Sequence, residues 1–153
     1  MLDVTDMILN SGDLRVPTAG PLIAFEPMKS VDRDAVMQFV QTEHPTFGKF
    51  YLAPKEGATV FVVNADGVLA GTVLLERSPE AAEFATDGAL ACVITASALR
   101  NKGIGSATIA ACSSELLSQA FTRVIAEWVA SIPLYERLGF KIWRTRQIDD
   151  SDL

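Results

Sequence analysis

Residues 90–129 constrain the fold of this chain more than any other stretch. Leu90 to Thr95 is an unbroken apolar run of strand length. The chain then turns through Arg100-Asn101-Lys102-Gly103-Ile104-Gly105, and Ile109, Cys112, Leu116 and Ala120 recur at spacings of three and four, which marks an amphipathic helix. Val124 to Val129 is a second apolar run, so the unit reads strand, helix, strand. A right-twisted strand feeding a right-handed helix packs back onto its sheet in one hand only. The two strands are therefore expected to be parallel neighbours joined by a right-handed crossover.

Further elements flank this unit. Leu22 to Phe25 is a short strand candidate, and Asp32 precedes Ala35, Val36, Phe39 and Val40 at helical spacing, which predicts a capped helix to about Glu43. His44-Pro45 stops it, and 45–57 reads as a Gly/Pro/aromatic loop with one short turn. Thr59 to Val63 and Val68 to Glu76 flank Asn64-Ala65-Asp66-Gly67, the pattern of a β-hairpin. A short helix at 133–138 and a strand at 140–147 close the order. Residues 1–20 hold few periodic apolar positions and carry Ser11-Gly12-Asp13 and Pro17, so they are expected as an irregular arm. The polar tail at 149–153 is expected to fray. The prediction is one domain over residues 21–148, an α/β chain with a mixed sheet and helices on both faces.

The turn at 100–106 carries the clearest chemistry. A strand end, a glycine-containing turn and a helix start aim successive backbone N–H groups at one point, at the positive end of a helix dipole. Gly103 and Gly105 let an anion approach the backbone closely, and Arg100 and Lys102 add positive charge to a chain of formal net charge −6. A pyrophosphate fits that arrangement. The spacing matches neither G-x-x-x-x-G-K-[ST] nor G-x-G-x-x-G, and a glycine turn that merely starts a helix is the competing structural explanation.

A second segment, Leu134-Tyr135-Glu136-Arg137-Leu138-Gly139-Phe140, follows the next strand. Together the two stretches resemble the GNAT superfamily of acyl-CoA-dependent N-acetyltransferases, whose signatures are Arg/Gln-x-x-Gly-x-Gly/Ala at a strand-to-helix junction and a later Leu-Tyr-Glu-Lys-Leu-Gly-Phe-like segment. Phe25-Glu26-Pro27-Met28 and the helix after Asp32 resemble the family's opening, so the likeness runs over about residues 22–147. It implies a sheet splayed between the strands at 90–95 and 124–129. The pantetheine arm of acetyl-CoA, or another acyl-CoA, would lie against Val93, Ile94 and Thr95. The pyrophosphate would rest on the amides of Arg100, Asn101, Lys102, Gly103, Ile104, Gly105 and Ser106. The resemblance makes Tyr135 the general acid for the leaving thiolate.

The sequence departs from the family pattern in three places. Thr95-Ala96-Ser97 stands where Val-x-Pro is frequent, and Trp128 where an Asn is common, seven residues before the Tyr. The family's usual last antiparallel strand has no counterpart after residue 147, so either the N-terminal arm fills its place or a second subunit, in a homodimer, covers the edge. An oxyanion donor is expected at the N–H of Thr95 or Ala96.

Glu127, inside an apolar strand beside the splay, is the candidate general base, because burial there raises a carboxyl's pKa. Glu76, Glu83, Asp87 and His44 are secondary candidates. Trp128 and Trp143 are read as packing and Tyr51 as pocket wall or packing, while Glu80, Glu83 and Asp87 are read as a solvated acidic loop. Cys92 and Cys112 are read as reduced thiols, and with His44 the lone histidine they form no metal-ligand set. The acidic net charge argues against nucleic-acid or anionic-membrane partners and leaves room for a small-molecule or protein amine. No apolar run reaches the roughly 20 residues of a membrane span, and the acidic start lacks a secretory n-region, so a cytoplasmic location is expected. The expected function is N-acetyl transfer to a primary amine in a ternary complex; the alternative is a catalytically silent acyl-CoA-binding module.

Overall fold

The computed structural model describes residues 1–152. Its centre is a seven-stranded sheet of β1 (Leu2–Asn10), β2 (Ala24–Pro27), β3 (Ala58–Ala65), β4 (Val68–Glu76), β5 (Asp87–Thr95), β6 (Arg123–Ala126) and β7 (Lys141–Ile148), in the order β2-β3-β4-β5-β6-β1-β7. The helices are α1 (Arg33–Glu43), α2 (Gly48–Leu52), α3 (Ile104–Ser118) and α4 (Ile132–Arg137). β5 and β6 form the parallel pair around the α3 crossover, and every other pairing is antiparallel.

Period-two alternation sorts the side chains onto two faces. Val60 and Val62 of β3 and Leu74 of β4 pack with Val36 and Val40 of α1 and with Tyr51 of α2. Phe61 of β3, Val73 and Leu75 of β4 and Leu90 of β5 face the other way, onto Ile109, Cys112 and Leu116 of α3 and Tyr135 of α4. The β3–β4 hairpin turns where it was expected: Asp66 and Gly67 both take positive φ, 52° and 76°, which suits the twist of the flanking strands. Asp32 does precede α1, but its side chain makes no capping bond.

The beginning of the chain departs from expectation. Residues 2–10 are not an irregular arm but a strand between β6 and β7, with Met7 and Leu9 fully buried in the α3-side core. β1 thus occupies the place of the strand missing after residue 147. The sheet's remaining edges are β2 and β7, so that gap gives no reason to invoke a second subunit. After β1, the backbone N–H groups of Ser11 and Arg15 bond to the carbonyls of Thr122 and Leu138, tying the connection down.

The second correction concerns β6, which ends at Ala126 rather than Val129. Past that point the Trp128 N–H donates to Asp6 Oδ1 at 3.0 Å instead of a backbone carbonyl, while the Val129 N–H returns to the Thr5 carbonyl at 2.8 Å. At the tail, Asp150–Asp152 form a 3-10 turn in place of the expected fraying, and Leu153 lies outside the described residues.

Candidate active site

The parallel register of β5 and β6 runs from Asp87↔Arg123 to Leu90↔Ala126 and stops. Beyond it the strands part. Residues 91–95 keep β4 on one side and have no strand on the other, which leaves backbone groups along an open edge. The resulting cleft has a volume of about 930 Å³, within the range of small-molecule sites. Its inner wall includes Val93, Ile94 and Thr95, and one end is formed by Arg100, Asn101, Gly103, Ile104, Gly105 and Ser106. The exposed Lys102 side chain is outside this lining.

The α3 end is built for an anion. The first bond of α3 runs from the Ala107 N–H to the Gly103 carbonyl at 3.0 Å, so the N–H groups of Ile104, Gly105 and Ser106 have no acceptor within the helix. Gly103 holds φ at +83°, a left-handed conformation that a side chain would resist. Together with Asn101, at φ +63°, it swings the chain from the turn into the helix, whose first amides face the cleft.

At the middle of the cleft β5 bulges. Thr72 faces Ile94 and Leu74 faces Ala91, so Cys92 and Val93 together oppose Val73 alone. Cys92 takes φ +53°, and the fully buried Tyr51 hydroxyl donates to its carbonyl at 2.6 Å. Tyr51 is not a wall of the cleft; it packs in the α1-side core, and its hydroxyl also ties down the bulge. The Ala96 N–H is bonded to the Ala70 carbonyl at 2.8 Å, which removes it as an oxyanion donor.

Two carboxylates and a phenol line the same space. Burial, and then the charge of Asp6, raise the pKa of Glu127. Burial, and then the charge of Glu127, raise that of Glu76. Lys55 opposes both shifts. The Cys92 thiol, half-buried and close to both acids, is pushed up to about 12, first by desolvation, and stays protonated. Tyr135 packs edge-on against Phe140, with ring centroids 5.3 Å apart, and burial raises its pKa, so it too keeps its proton at neutral pH. Among the described residues no protein group hydrogen-bonds to its hydroxyl. His44 also lines the cleft, stacked on Phe47 at 3.7 Å with Nδ1 2.9 Å from Thr46 Oγ1.

Glu83 and Asp87 fall elsewhere. Asp87 is buried, accepts the N–H groups of Glu83 and Phe84, and is held by Arg123 Nε and Nη2, both at 2.8 Å. The Arg123 hydrogen bond, against the opposing effect of burial, keeps its pKa depressed. This is a structural ion pair at the start of β5, not an amine site. Both cysteines are free thiols, and among the described residues no group of three His, Cys, Asp or Glu is placed to hold a metal ion. No helix among them is long and apolar enough to cross a membrane.

Trp128 is the residue that sequence reasoning undervalued. It lines the cleft, its indole Nε1 is buried without a partner, and its backbone takes φ +54°. A left-handed non-glycine residue costs roughly 1–2 kcal/mol, least for Asn. Here a Trp is held in that conformation.

Residues 27–140, well over half of the chain, match the model of the acetyltransferase (GNAT) family. The chain belongs to the GNAT family. Members of this family use acetyl-CoA. Among curated proteins, none matches the sequence. Solved structures share the fold at low identity. One is a GCN5-related glucosamine N-acetyltransferase region of a fungal multi-domain β-N-acetylglucosaminidase, with a TM-score of 0.78 and 22% identity over 94% of this chain and 20% of that one. Another is a GCN5-related N-acetyltransferase from Kribbella flavida, with a TM-score of 0.71 and 17% identity over 95% of this chain and 56% of that one. An aminoglycoside N-acetyltransferase solved in complex with CoA gives a TM-score of 0.63 and 15% identity, covering 88% of this chain and 96% of that one. This GNAT chain therefore spans about a fifth and just over half of the first two structures' own length.

Proposed function

We propose that this GNAT chain transfers an acetyl group from acetyl-CoA to a primary amine by direct attack within a ternary complex. The observation that carries the reading is the parting of β5 from β6 beyond Leu90 and Ala126, which opens a cleft ending on the first turn of α3. Pantetheine is an extended, amide-bearing arm and satisfies an open strand edge as another strand would. The diphosphate meets the free amides of Ile104, Gly105 and Ser106, with Arg100 beside them. The indole N–H of Trp128 offers the arm one further donor.

The reaction needs an amine without its extra proton, a polarised thioester carbonyl, and a proton for the departing thiolate. Glu127 takes the proton from the incoming ammonium, directly or through water, since burial brings its pKa closer to that of the task. The bulge at Cys92 and Val93 supplies the backbone donor for the oxyanion, in place of Ala96. Tyr135, protonated and free of a protein partner, donates to the sulfur. The Glu76–Glu127 pair also favours a cationic acceptor, because an ammonium group relieves the repulsion between two half-buried carboxylates. Holding both substrates in one cleft removes much of the entropic barrier.

A thiol-detection assay of CoA release from acetyl-CoA, over a library of mono- and polyamines, tests the reading. Amine-dependent release that vanishes on blocking the amine supports transfer. Tight CoA binding with no release for any amine replaces it with a binding-module role.

A further inference from the structure

Asp6 has no part in the chemistry outlined above, yet it is the most heavily bonded side chain beside the cleft. It lies on β1, fully buried, at the point where β6 leaves the ladder. Its Oδ1 accepts the Trp128 N–H at 3.0 Å, and its Oδ2 accepts Nε of Arg144 and Nε of Arg146, each at 2.7 Å. Arg146 reaches on to Glu127 Oε2 at 3.4 Å. One carboxylate thus holds the Trp128 N–H directly and reaches Glu127 through Arg146.

We propose that Asp6 is a positioning residue for acetyl transfer: through the Trp128 N–H it holds the chain after β6 on β1 and away from β5, and through Arg146 it sets the place and charge of Glu127. The inference rests on the reading of Glu127 as the base.

The strand register and the charges around Glu127 both support this role. First, Met7 pairs with Ala126, so regular pairing would continue with Asp6 opposite Glu127. The Asp6 carboxylate instead supplies the acceptor for the next N–H, and Trp128 adopts a conformation that the ladder would not impose. Second, Glu127 sits in a balanced field. Asp6 from β1 and Glu76 from β4 oppose its ionisation, while Arg144 and Arg146 from β7 and Lys55 from the loop after α2 favour it. Because Arg146 binds both carboxylates, Asp6 restrains the cation that would otherwise lean wholly on Glu127. Its pull leaves Glu127 a stronger base than a simple Arg–Glu pair would.

The test is a pair of substitutions with opposite expected signs, read by 13C NMR titration of the Glu127 side-chain carboxyl in the full chain. The signal is assigned by its loss in Glu127→Gln. Asp6→Asn keeps an oxygen for the Trp128 N–H but removes the charge, so the Glu127 midpoint should fall by about half to one pH unit. Arg146→Gln removes the cation and should raise it by about one unit. In parallel, Asp6→Ala, which leaves the Trp128 N–H without its acceptor, should weaken acetyl-CoA binding about tenfold by calorimetry, whereas Asp6→Asn should not. Unchanged midpoints, or shifts of the same sign in Asp6→Asn and Arg146→Gln, overturn the proposal. Should Asp6→Asn fail to fold, the Arg146→Gln shift decides. The base assignment fails separately, if Glu127→Gln retains full CoA-releasing activity.

Discussion

Replacing Gly105 by Glu should make this protein more stable and worse at its task. Gly105 is the second residue of α3 and its backbone is not in the left-handed region. A Cβ there would meet only Thr95 Oγ1, at 3.5 Å, an ordinary contact. Glutamate in place of glycine therefore gains helix propensity and places a negative charge at the positive end of the helix dipole. Together these contribute about 1 kcal/mol, or about 3 °C in Tm for a chain of this size. The same charge stands where the diphosphate should lie. Taking the glutamate charge against two negative charges of the diphosphate, each at roughly 6 Å with an effective dielectric constant of about 40, Coulomb's law gives a repulsion of about 3 kcal/mol, a weakening of CoA binding by about a hundredfold. Gly105→Ala is the control: it shares most of the propensity gain, adds no charge, and should bind CoA nearly as the parent does. Calorimetric titration with CoA and thermal unfolding of both variants measure the two effects. If Gly105→Glu binds CoA normally, or if stability and affinity fall together, the amides of α3 are not the diphosphate seat and the glycine serves the turn alone.

Three other outcomes follow from the same geometry. Tyr135→Phe should lower kcat about a hundredfold while leaving the calorimetric Kd for acetyl-CoA within about threefold, because only the proton donor is lost. Asp87→Asn, away from the cleft, should cost about 2–4 kcal/mol in urea unfolding by leaving Arg123 without its charge partner, with CoA affinity per folded molecule unchanged. The native-state pKa of Asp87 is depressed, so its stabilisation is present above the ordinary carboxylate range and lost as pH falls through the depressed value. The difference between Asp87→Asn and the parent should therefore shrink in acid. Glu76→Gln should show the reverse: the native pKa of Glu76 is raised, so its ionisation opposes folding once pH exceeds that value. The variant should gain Tm at pH 8 and nothing at pH 4. Equal gains at both pH values would remove the charge of Glu76, disfavoured by burial and then by Glu127, as the cause.

What the sequence revealed and what it hid divide along one line, the distance over which the cause acts. The α3 junction, the Asp66-Gly67 turn and the start of α1 were legible because their causes lie within a few residues: a glycine at positive φ, a turn pair, an apolar helical spacing. β1 was missed because Asp3 and Asp6 interrupt its apolar pattern, and Asp6 is tolerable in a sheet centre only with Arg144 and Arg146, nearly the whole chain away. The short run Met7-Ile8-Leu9 before Asn10-Ser11-Gly12 was the available signal. The overlong expectation for β6 has the same origin. Glu127-Trp128-Val129 continues an apolar run, and nothing local announces that an aspartate on another strand takes the Trp128 N–H. In the site, Arg100, Asn101, Gly103, Ile104, Gly105 and Tyr135 were legible from the two motifs, whereas Lys55, Leu74 and Ala130 line the cleft from outside both. The Tyr51–Cys92 bond and the occupied Ala96 N–H arise from packing between distant segments and were not.

The placement of β1 bears on how the chain reaches its final shape. Its nine residues are synthesised long before both of their neighbours, which lie beyond residue 122. At about 5–20 residues per second, β1 waits roughly 6–25 s for them, and a hydrophobic segment such as Met7-Ile8-Leu9 is open to chaperones or wrong pairings throughout. Closing so long a loop also raises contact order, so refolding in vitro should be slow relative to other chains of this length.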